Sequence, residues 1–235
     1  DVDAFVFWTK NSDPILKKLP ELDERGFYYY FLYTLTAYGN DLEVNVYSIE
    51  KRINSFKKLA DRIFPDKVIW RYDPILIGNF HSFEWHLEKL AKLSKSLNGF
   101  TNRIIISFAD YYKKTIKNLS RVNEKFDQQP EASEQFGSFV QQIRQIAQHN
   151  GLEVQSCAET RNLEIHGIQR GKCIDDELIK IITGKSITHK KDPNQRKECG
   201  CVISKDIGAY NTCLNNCRYC YATASHETSL KNLNK

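Results

Sequence analysis

Five short apolar segments, each followed by a stretch with helical spacing, constrain the fold of this chain most. They centre on residues 4–8, 27–35, 68–70, 103–108 and 152–157. Short, nearly continuous apolar runs are typical of strands covered on both faces of a parallel sheet. Strands that alternate with helices are typical of α/β proteins. The sequence therefore predicts a parallel sheet with helices outside it.

Capping residues and apolar periodicity predict the helices between these strands. Ser48 and Ser82 stand where N-caps are expected, directly before two amphipathic stretches. Asp175 and Asp176 lie favourably at the start of the last helix. Residues 111–134 lack a clean period and indicate an inserted loop with a short helix around Ile116 and Leu119. The predicted helices cover residues 14–22, 49–63, 83–97, 136–147 and 174–182.

The alternation fits either a barrel or a doubly wound sheet. No Gly-x-Gly-x-x-Gly turn and no Gly-Lys-Ser phosphate loop occurs in the right context, so a nucleotide-binding doubly wound fold has no positive support. We therefore predict an α/β fold in the form of a TIM-like barrel or partial barrel over residues 1–184. A cysteine-rich, metal-binding segment is predicted over residues 185–235.

Composition limits the class of protein and its compartment. The chain has 34 Lys and Arg against 29 Asp and Glu, spread along its length, which is too weak a bias to indicate nucleic-acid binding by itself. No run of eighteen apolar residues occurs, and Asp1-Val2-Asp3 is not the basic start of a signal peptide. Seven cysteines without a secretory signal favour metal or redox chemistry in a reducing compartment. We expect a cytoplasmic protein without a membrane partner.

Three cysteines near the carboxyl end form the strongest motif. Cys213, Cys217 and Cys220 are separated by three and then two residues, so their thiols can surround one metal cluster. Three thiolates on a four-iron cluster leave one iron open to a small molecule, whereas a closed zinc site needs four protein ligands. The alternative is a zinc-binding loop with His226 or another cysteine as the fourth ligand.

The remaining four cysteines equal the ligand number of a second closed site, either zinc or an iron–sulfur cluster. Cys199 and Cys201 supply a close pair, whereas Cys157 and Cys173 could join them only through folding. A lone Cys157 at a strand end would instead be a small core residue. The sequence leaves both readings open.

Polar residues follow four of the five predicted strands. Barrel enzymes carry their function on the loops after the strands, so we predict that these residues converge on one mouth. The alternative is that Arg71 and Asp73 pair across the rim and that Glu159 caps a turn. The candidate catalytic residues are Lys10, Asn11, Thr36, Arg71, Asp73 and Glu159.

The cysteine motif, with an aromatic residue before its last cysteine, resembles the cluster motif of radical S-adenosylmethionine enzymes. The segment Cys217-Arg218-Tyr219-Cys220-Tyr221-Ala222 resembles the branch that includes spore photoproduct lyase. Its late position, together with four other segments, resembles the bacterial family named domain of unknown function 1848, over nearly all of the chain. Those segments are Thr9-Lys10-Asn11, Trp70-Arg71-Tyr72-Asp73-Pro74, Cys157-Ala158-Glu159 and Cys199-Gly200-Cys201.

The resemblance implies a partial barrel of about six strand–helix units. The chain starts with Asp1 and contains no Met, so we expect the native start to be missing and an upstream strand to supply the sixth unit. The resemblance also implies a [4Fe-4S] cluster on Cys213, Cys217 and Cys220. S-adenosylmethionine would bind the open iron through its amino and carboxylate groups, with Tyr219 against its adenine.

The implied activity is formation of a 5′-deoxyadenosyl radical that abstracts hydrogen from a substrate, with a ferredoxin or flavodoxin as electron donor. The Gly-Gly-Glu strand end that many such enzymes use for the cofactor's amino group is absent, so Thr9 and its neighbours or an upstream segment would replace it. The substrate is unknown; damaged nucleic acid, small metabolites and peptides all remain open. The alternative from another class is a non-catalytic binding module stabilised by zinc or iron–sulfur.

Overall fold

A computed structural model describes residues 2–233 of the chain. Six strands form one sheet in sequence order, and every neighbouring pair is parallel. A doubly wound sheet would reverse its strand order, so this order is compatible with a partial (β/α) barrel, open between its two edge strands. The strands are β1 (Phe5–Thr9), β2 (Tyr29–Thr34), β3 (Val68–Ile75), β4 (Arg103–Phe108), β5 (Glu153–Ser156) and β6 (Gln169–Arg170).

The sixth strand of this sheet comes from within the chain and not from an upstream segment. Gln169 and Arg170 pair in parallel with Gln155 and Ser156 of β5. Both residues of β6 are exposed. A polar strand of two residues has no apolar alternation, which is why the hydrophobic pattern did not reveal it.

Eight helices connect or follow the strands in residues 2–233. Ser48 and Ser82 cap their helices as predicted, accepting hydrogen bonds from the backbone N–H of Lys51 and Trp85. Asp175 caps another helix through two backbone N–H groups. The helices are α1 (Asp13–Leu16), α2 (Leu19–Glu24), α3 (Ile49–Ile63), α4 (Phe83–Leu97), α5 (Lys113–Leu119), α6 (Phe136–His149), α7 (Asp176–Thr183) and α8 (His226–Leu233).

The two faces of the sheet bury different sets of side chains. Phe31, Tyr33 and Trp70 belong to the large core that includes residues of α3, α4 and α6. Tyr30 and Leu32, which alternate with them, point to the opposite face, where α7 and four cysteines complete a smaller core. Every residue from Tyr29 to Tyr33 is at most 5% exposed, as predicted for a strand covered on both faces.

The segment after α7 folds back against the smaller core on one face of the sheet. Gly184, in the left-handed conformation, ends α7, which agrees with the predicted helix end; the division of the chain at this point stays a prediction. Lys191 and Val202 form an antiparallel bridge, and the Val202 N–H donates to the Ile174 carbonyl at 3.2 Å. No helix within residues 2–233 is long and apolar enough to span a membrane.

Candidate functional site

The cysteine loop, residues 211–222, docks on the segment that follows β2. Asn45 N–H donates to the Asn215 carbonyl at 3.0 Å, and Arg218 N–H donates to the Leu42 carbonyl at 2.8 Å. Glu43 and Cys217 form an antiparallel bridge between the same two segments. The loop therefore lies at the carboxyl ends of the strands, where barrel proteins carry their sites.

A buried carboxylate, Glu43, connects this loop to the residues that follow β1 and β2 and to α3. Its Oε1 accepts from Lys10 Nζ at 2.7 Å, from Thr36 Oγ1 at 2.6 Å and from the Tyr219 hydroxyl, while Oε2 accepts from Arg52 Nη1 at 2.9 Å. Glu43 is 1% exposed. Burial alone would raise the pKa of Glu43, but the Lys10 and Arg52 cations hold it below its ordinary value. The Glu43 side chain is therefore an anion. It joins Lys10 and Thr36, two of the predicted strand-end residues, to the cysteine loop.

Tyr219 is the residue through which the loop reaches Glu43. Its ring centroid lies 5.9 Å from that of Tyr38, and Lys10 Nζ lies 5.7 Å from the Tyr219 centroid. Burial raises the pKa of Tyr219 well above its ordinary value. This position makes Tyr219 an anchor of the loop; its predicted contact with adenine stays a prediction.

All three cysteines of the motif line one cavity of about 680 Å³. Cys213 is exposed, whereas Cys217 and Cys220 are half-buried, and burial raises the pKa of Cys217 to about 12. Pockets for small molecules have volumes of about 300–1,000 Å³, so the cavity has room for a cluster and a small ligand.

Basic side chains from two parts of the chain surround the same cavity. None of them forms an ion pair with an acidic side chain within residues 2–233, although Lys114 Nζ donates to the carbonyls of Tyr221 and Thr223. The three on or beside α5 lie in the stretch that the sequence predicted as an inserted loop. The basic residues are Lys114, Lys117, Arg121 and Arg218.

His226, at the start of α8, also lines the cavity. Its Nδ1 is buried and has no hydrogen-bond partner in the described part of the chain. An imidazole nitrogen in that condition is available to a metal or to a ligand. The alternative fourth zinc ligand named from the sequence therefore lies beside the three cysteines.

Thr9 and Asn11, predicted for the cofactor and for catalysis, form a local turn after β1. Thr9 Oγ1 accepts from Asn11 N–H at 3.0 Å and donates to the Asn11 carbonyl at 2.7 Å. Asn11 Oδ1 accepts from Asp13 N–H at 3.1 Å. These contacts fix the start of α1, and neither residue lines the cavity.

The other predicted strand-end residues lie away from the cavity. Arg71 donates to Asp73. Although burial lowers the pKa of Arg71, the negative charge of Asp73 raises it above the ordinary value. The structure thus shows the pairing that the sequence left as the alternative.

Glu159 is held by the end of β4. Its Oε1 accepts from Phe108 N–H at 2.7 Å and from Ser107 Oγ at 3.2 Å, and its Oε2 accepts from Arg161 at 3.1 Å. Burial raises the pKa of Glu159. Glu159 therefore accepts hydrogen bonds from the last residues of β4, as a turn-capping residue would.

A family model with the description Domain of unknown function (DUF1848) matches residues 1–222. The chain belongs to this family. The match includes the cysteine loop as well as every strand of the sheet. No match was found among curated proteins or among solved structures. The family's description assigns no activity.

Proposed function

We propose that this chain is an iron–sulfur enzyme of the radical S-adenosylmethionine type. The observation that carries the proposal is the convergence of Cys213, Cys217 and Cys220 on one cavity at the carboxyl ends of a parallel sheet. Three thiols without a fourth cysteine in the lining match a four-iron cluster with one open iron. The order of the strands is compatible with the partial barrel of that enzyme class.

The lining fits the proposed cofactors chemically. Three cysteines would hold the [4Fe-4S] cluster, and basic groups such as Arg218 and Lys117 would attract the carboxylate of S-adenosylmethionine. When bound, the cluster supplies one electron, received from a reduced ferredoxin or flavodoxin, to cleave S-adenosylmethionine into methionine and a 5′-deoxyadenosyl radical that takes hydrogen from substrate.

The chain's own contribution is to hold the cysteines in place. Glu43 fixes Tyr219, and the backbone bonds from Leu42 and Asn45 fix the residues on either side of Cys217. Because the carboxylate is ionised and shared by two cations, the loop is tied to β1, β2 and α3 together. A loop held in this way would present the three thiolates to a bound cluster in a fixed arrangement.

The substrate class follows from the charge around the cavity. Four basic residues and no acidic residue except Glu227 line it, so an anionic substrate is favoured. Damaged nucleic acid meets this description through its phosphates. An anionic metabolite or an acidic peptide meets it as well, and binding experiments are needed to separate them.

Metal loading of matched variants tests the proposal. After anaerobic reconstitution with iron and sulfide, the parent protein should be brown and hold about four irons at the motif. The Cys213→Ser, Cys217→Ser and Cys220→Ser triple variant should lose this iron and the capacity to form 5′-deoxyadenosine. Thr212→Ala, which removes a hydroxyl from the same loop, should keep both. A colourless parent protein that binds zinc only would reject the proposal.

A second candidate is a zinc-stabilised binding module, which the unpartnered Nδ1 of His226 favours. Three cysteines and this histidine would then complete a closed tetrahedral site. His226→Ala separates the two candidates, because it should abolish metal binding at a zinc site yet leave the iron content unchanged at a three-cysteine cluster. Loss of all iron from His226→Ala would count against the enzyme.

A further inference from the structure

Four cysteines that the proposed function does not use meet on the other side of the sheet. They come from the end of β5, from the turn after β6 and from the segment that follows α7. All are buried, at 5–9% exposure, in the small core that contains Tyr30 and Ile105. The four residues are Cys157, Cys173, Cys199 and Cys201.

Two of the four sulfurs are in contact, and the other two are buried close by. Cys157 Sγ lies 3.2 Å from Cys173 Sγ, well beyond the disulfide bond length of about 2.05 Å. Cys199 and Cys201 are buried in the same small core as this pair. Four thiols from three separate segments therefore share one core, and the closest pair is not bonded.

The surroundings of these four cysteines suit thiolates bound to a metal. The Ile174 N–H donates to Cys201 Sγ at 3.3 Å, which is the kind of backbone contact that orients a metal ligand. Arg71 lies close enough to Cys157 and Cys173 for negative charge on either sulfur to raise its pKa, and its Nε has no hydrogen-bond partner in the described residues. A cation at this place would offset part of the negative charge of four thiolates.

The backbone at these cysteines is fixed in advance. The Tyr30 hydroxyl donates to the Cys173 carbonyl at 2.6 Å and accepts from Asp175 N–H at 3.0 Å. Asp192 N–H donates to the Cys201 carbonyl at 3.0 Å. The backbone segments that carry Cys173 and Cys201 are therefore held by hydrogen bonds that need no metal.

We propose that Cys157, Cys173, Cys199 and Cys201 form a second, closed site for a thiophilic metal, either zinc or the iron of an auxiliary cluster, bound by four thiolates. Each thiol releases its proton to solvent as its metal–sulfur bond forms. The bound metal fastens residues 185–203 to β5 and β6. That stretch is too polar to be held by apolar burial alone.

Metal analysis of two cysteine variants tests this site independently of the proposed function. In the Cys213→Ser, Cys217→Ser and Cys220→Ser triple variant, about one zinc ion per chain, or the iron of one cluster, should remain. The Cys199→Ser and Cys201→Ser double variant should lose that metal and keep the iron at the cysteine loop. Element analysis and absorbance distinguish zinc from iron–sulfur.

Two results would overturn the proposal. One is a triple variant that holds no metal after anaerobic incubation with Zn²⁺, and also none after incubation with iron and sulfide. The other is a mass lower by two hydrogens in anaerobically purified protein, with a peptide that links Cys157 to Cys173. Neither result depends on the double variant, so the test holds even if that variant fails to fold.

Discussion

Glu43→Gln removes a buried negative charge that two cations and the cysteine loop share. Lys10 and Arg52 are 13% and 3% exposed at their side chains, so both would keep their charge in a poorly solvated place. Breaking a buried ion pair from one side costs about 3–5 kcal/mol. Because Arg52 still donates to the Thr36 carbonyl at 3.0 Å, and because Gln retains an acceptor oxygen, we expect the lower end, about 3 kcal/mol.

Thermal unfolding gives the first measurement. In a domain of this size 1 kcal/mol shifts the midpoint by about 2–4 °C, so Glu43→Gln should unfold about 6–12 °C below the parent protein. Glu21→Gln is the matched control, because Glu21 forms an exposed ion pair with Arg25 and such pairs contribute little. A shift in Glu43→Gln no larger than in the control would refute the assignment of Glu43 as the anchor.

The pH dependence gives a second, independent measurement. The pKa of Glu43 lies below its ordinary value of 4.5, so the folded state holds fewer protons here than the unfolded state does. The stabilisation is therefore complete above about pH 4.5 and is lost as the pH falls through the folded pKa. The difference between parent and Glu43→Gln should shrink in that acidic range, and a difference that stays constant would contradict the ionic account.

Three further predictions concern other parts of the chain. Lys117→Ala with Arg121→Ala should weaken binding of a single-stranded DNA oligonucleotide and reduce its salt slope by roughly 0.7 per cation removed, whereas Lys180→Ala should not; equal slopes would exclude phosphate contacts at the cavity. Burial raises the pKa of Glu159, so ionisation of this side chain lowers the free energy of unfolding of the parent protein as the pH rises above about 4.5. In urea unfolding, the free energy of unfolding of Glu159→Gln should therefore increase relative to that of the parent toward neutral pH. In limited trypsin digestion, Cys199→Ser with Cys201→Ser should expose Lys190 and Lys197 to cleavage that the Cys213→Ser variant resists; unchanged resistance would remove the fastening role of the second site.

Local patterns in the sequence were sufficient for most of the fold. Ser48 and Ser82 were identified as caps because a cap and its helix are neighbours in sequence. The strand β6 was missed because two exposed residues carry no hydrophobic pattern. Helix α8 was not predicted, and of its described residues only Ser229 is buried, so it has little of an apolar stripe to recognise.

The candidate site was predicted only in part, because its contacts join residues far apart in the chain. The three cysteines of the motif were found through their spacing. Glu43 was missed because Tyr219, the hydrogen-bond partner that links it to the cysteine loop, lies 176 residues away in the sequence. An acidic residue in the loop after a buried strand was the available signal, but one sequence does not distinguish it from a solvated surface charge.

The late position of the cysteine loop explains why the chain needs such an anchor. A loop between a strand and its following helix is held covalently by the barrel at both ends. The element before this loop is α7, and only α8 follows it in the described chain. Non-covalent contacts must therefore fix its far end, and those observed are the carboxylate of Glu43, the bridge at Cys217 and the carbonyl bonds of Lys114. They attach the loop to the segment after β2 and to α5, and α5 also lines the cavity.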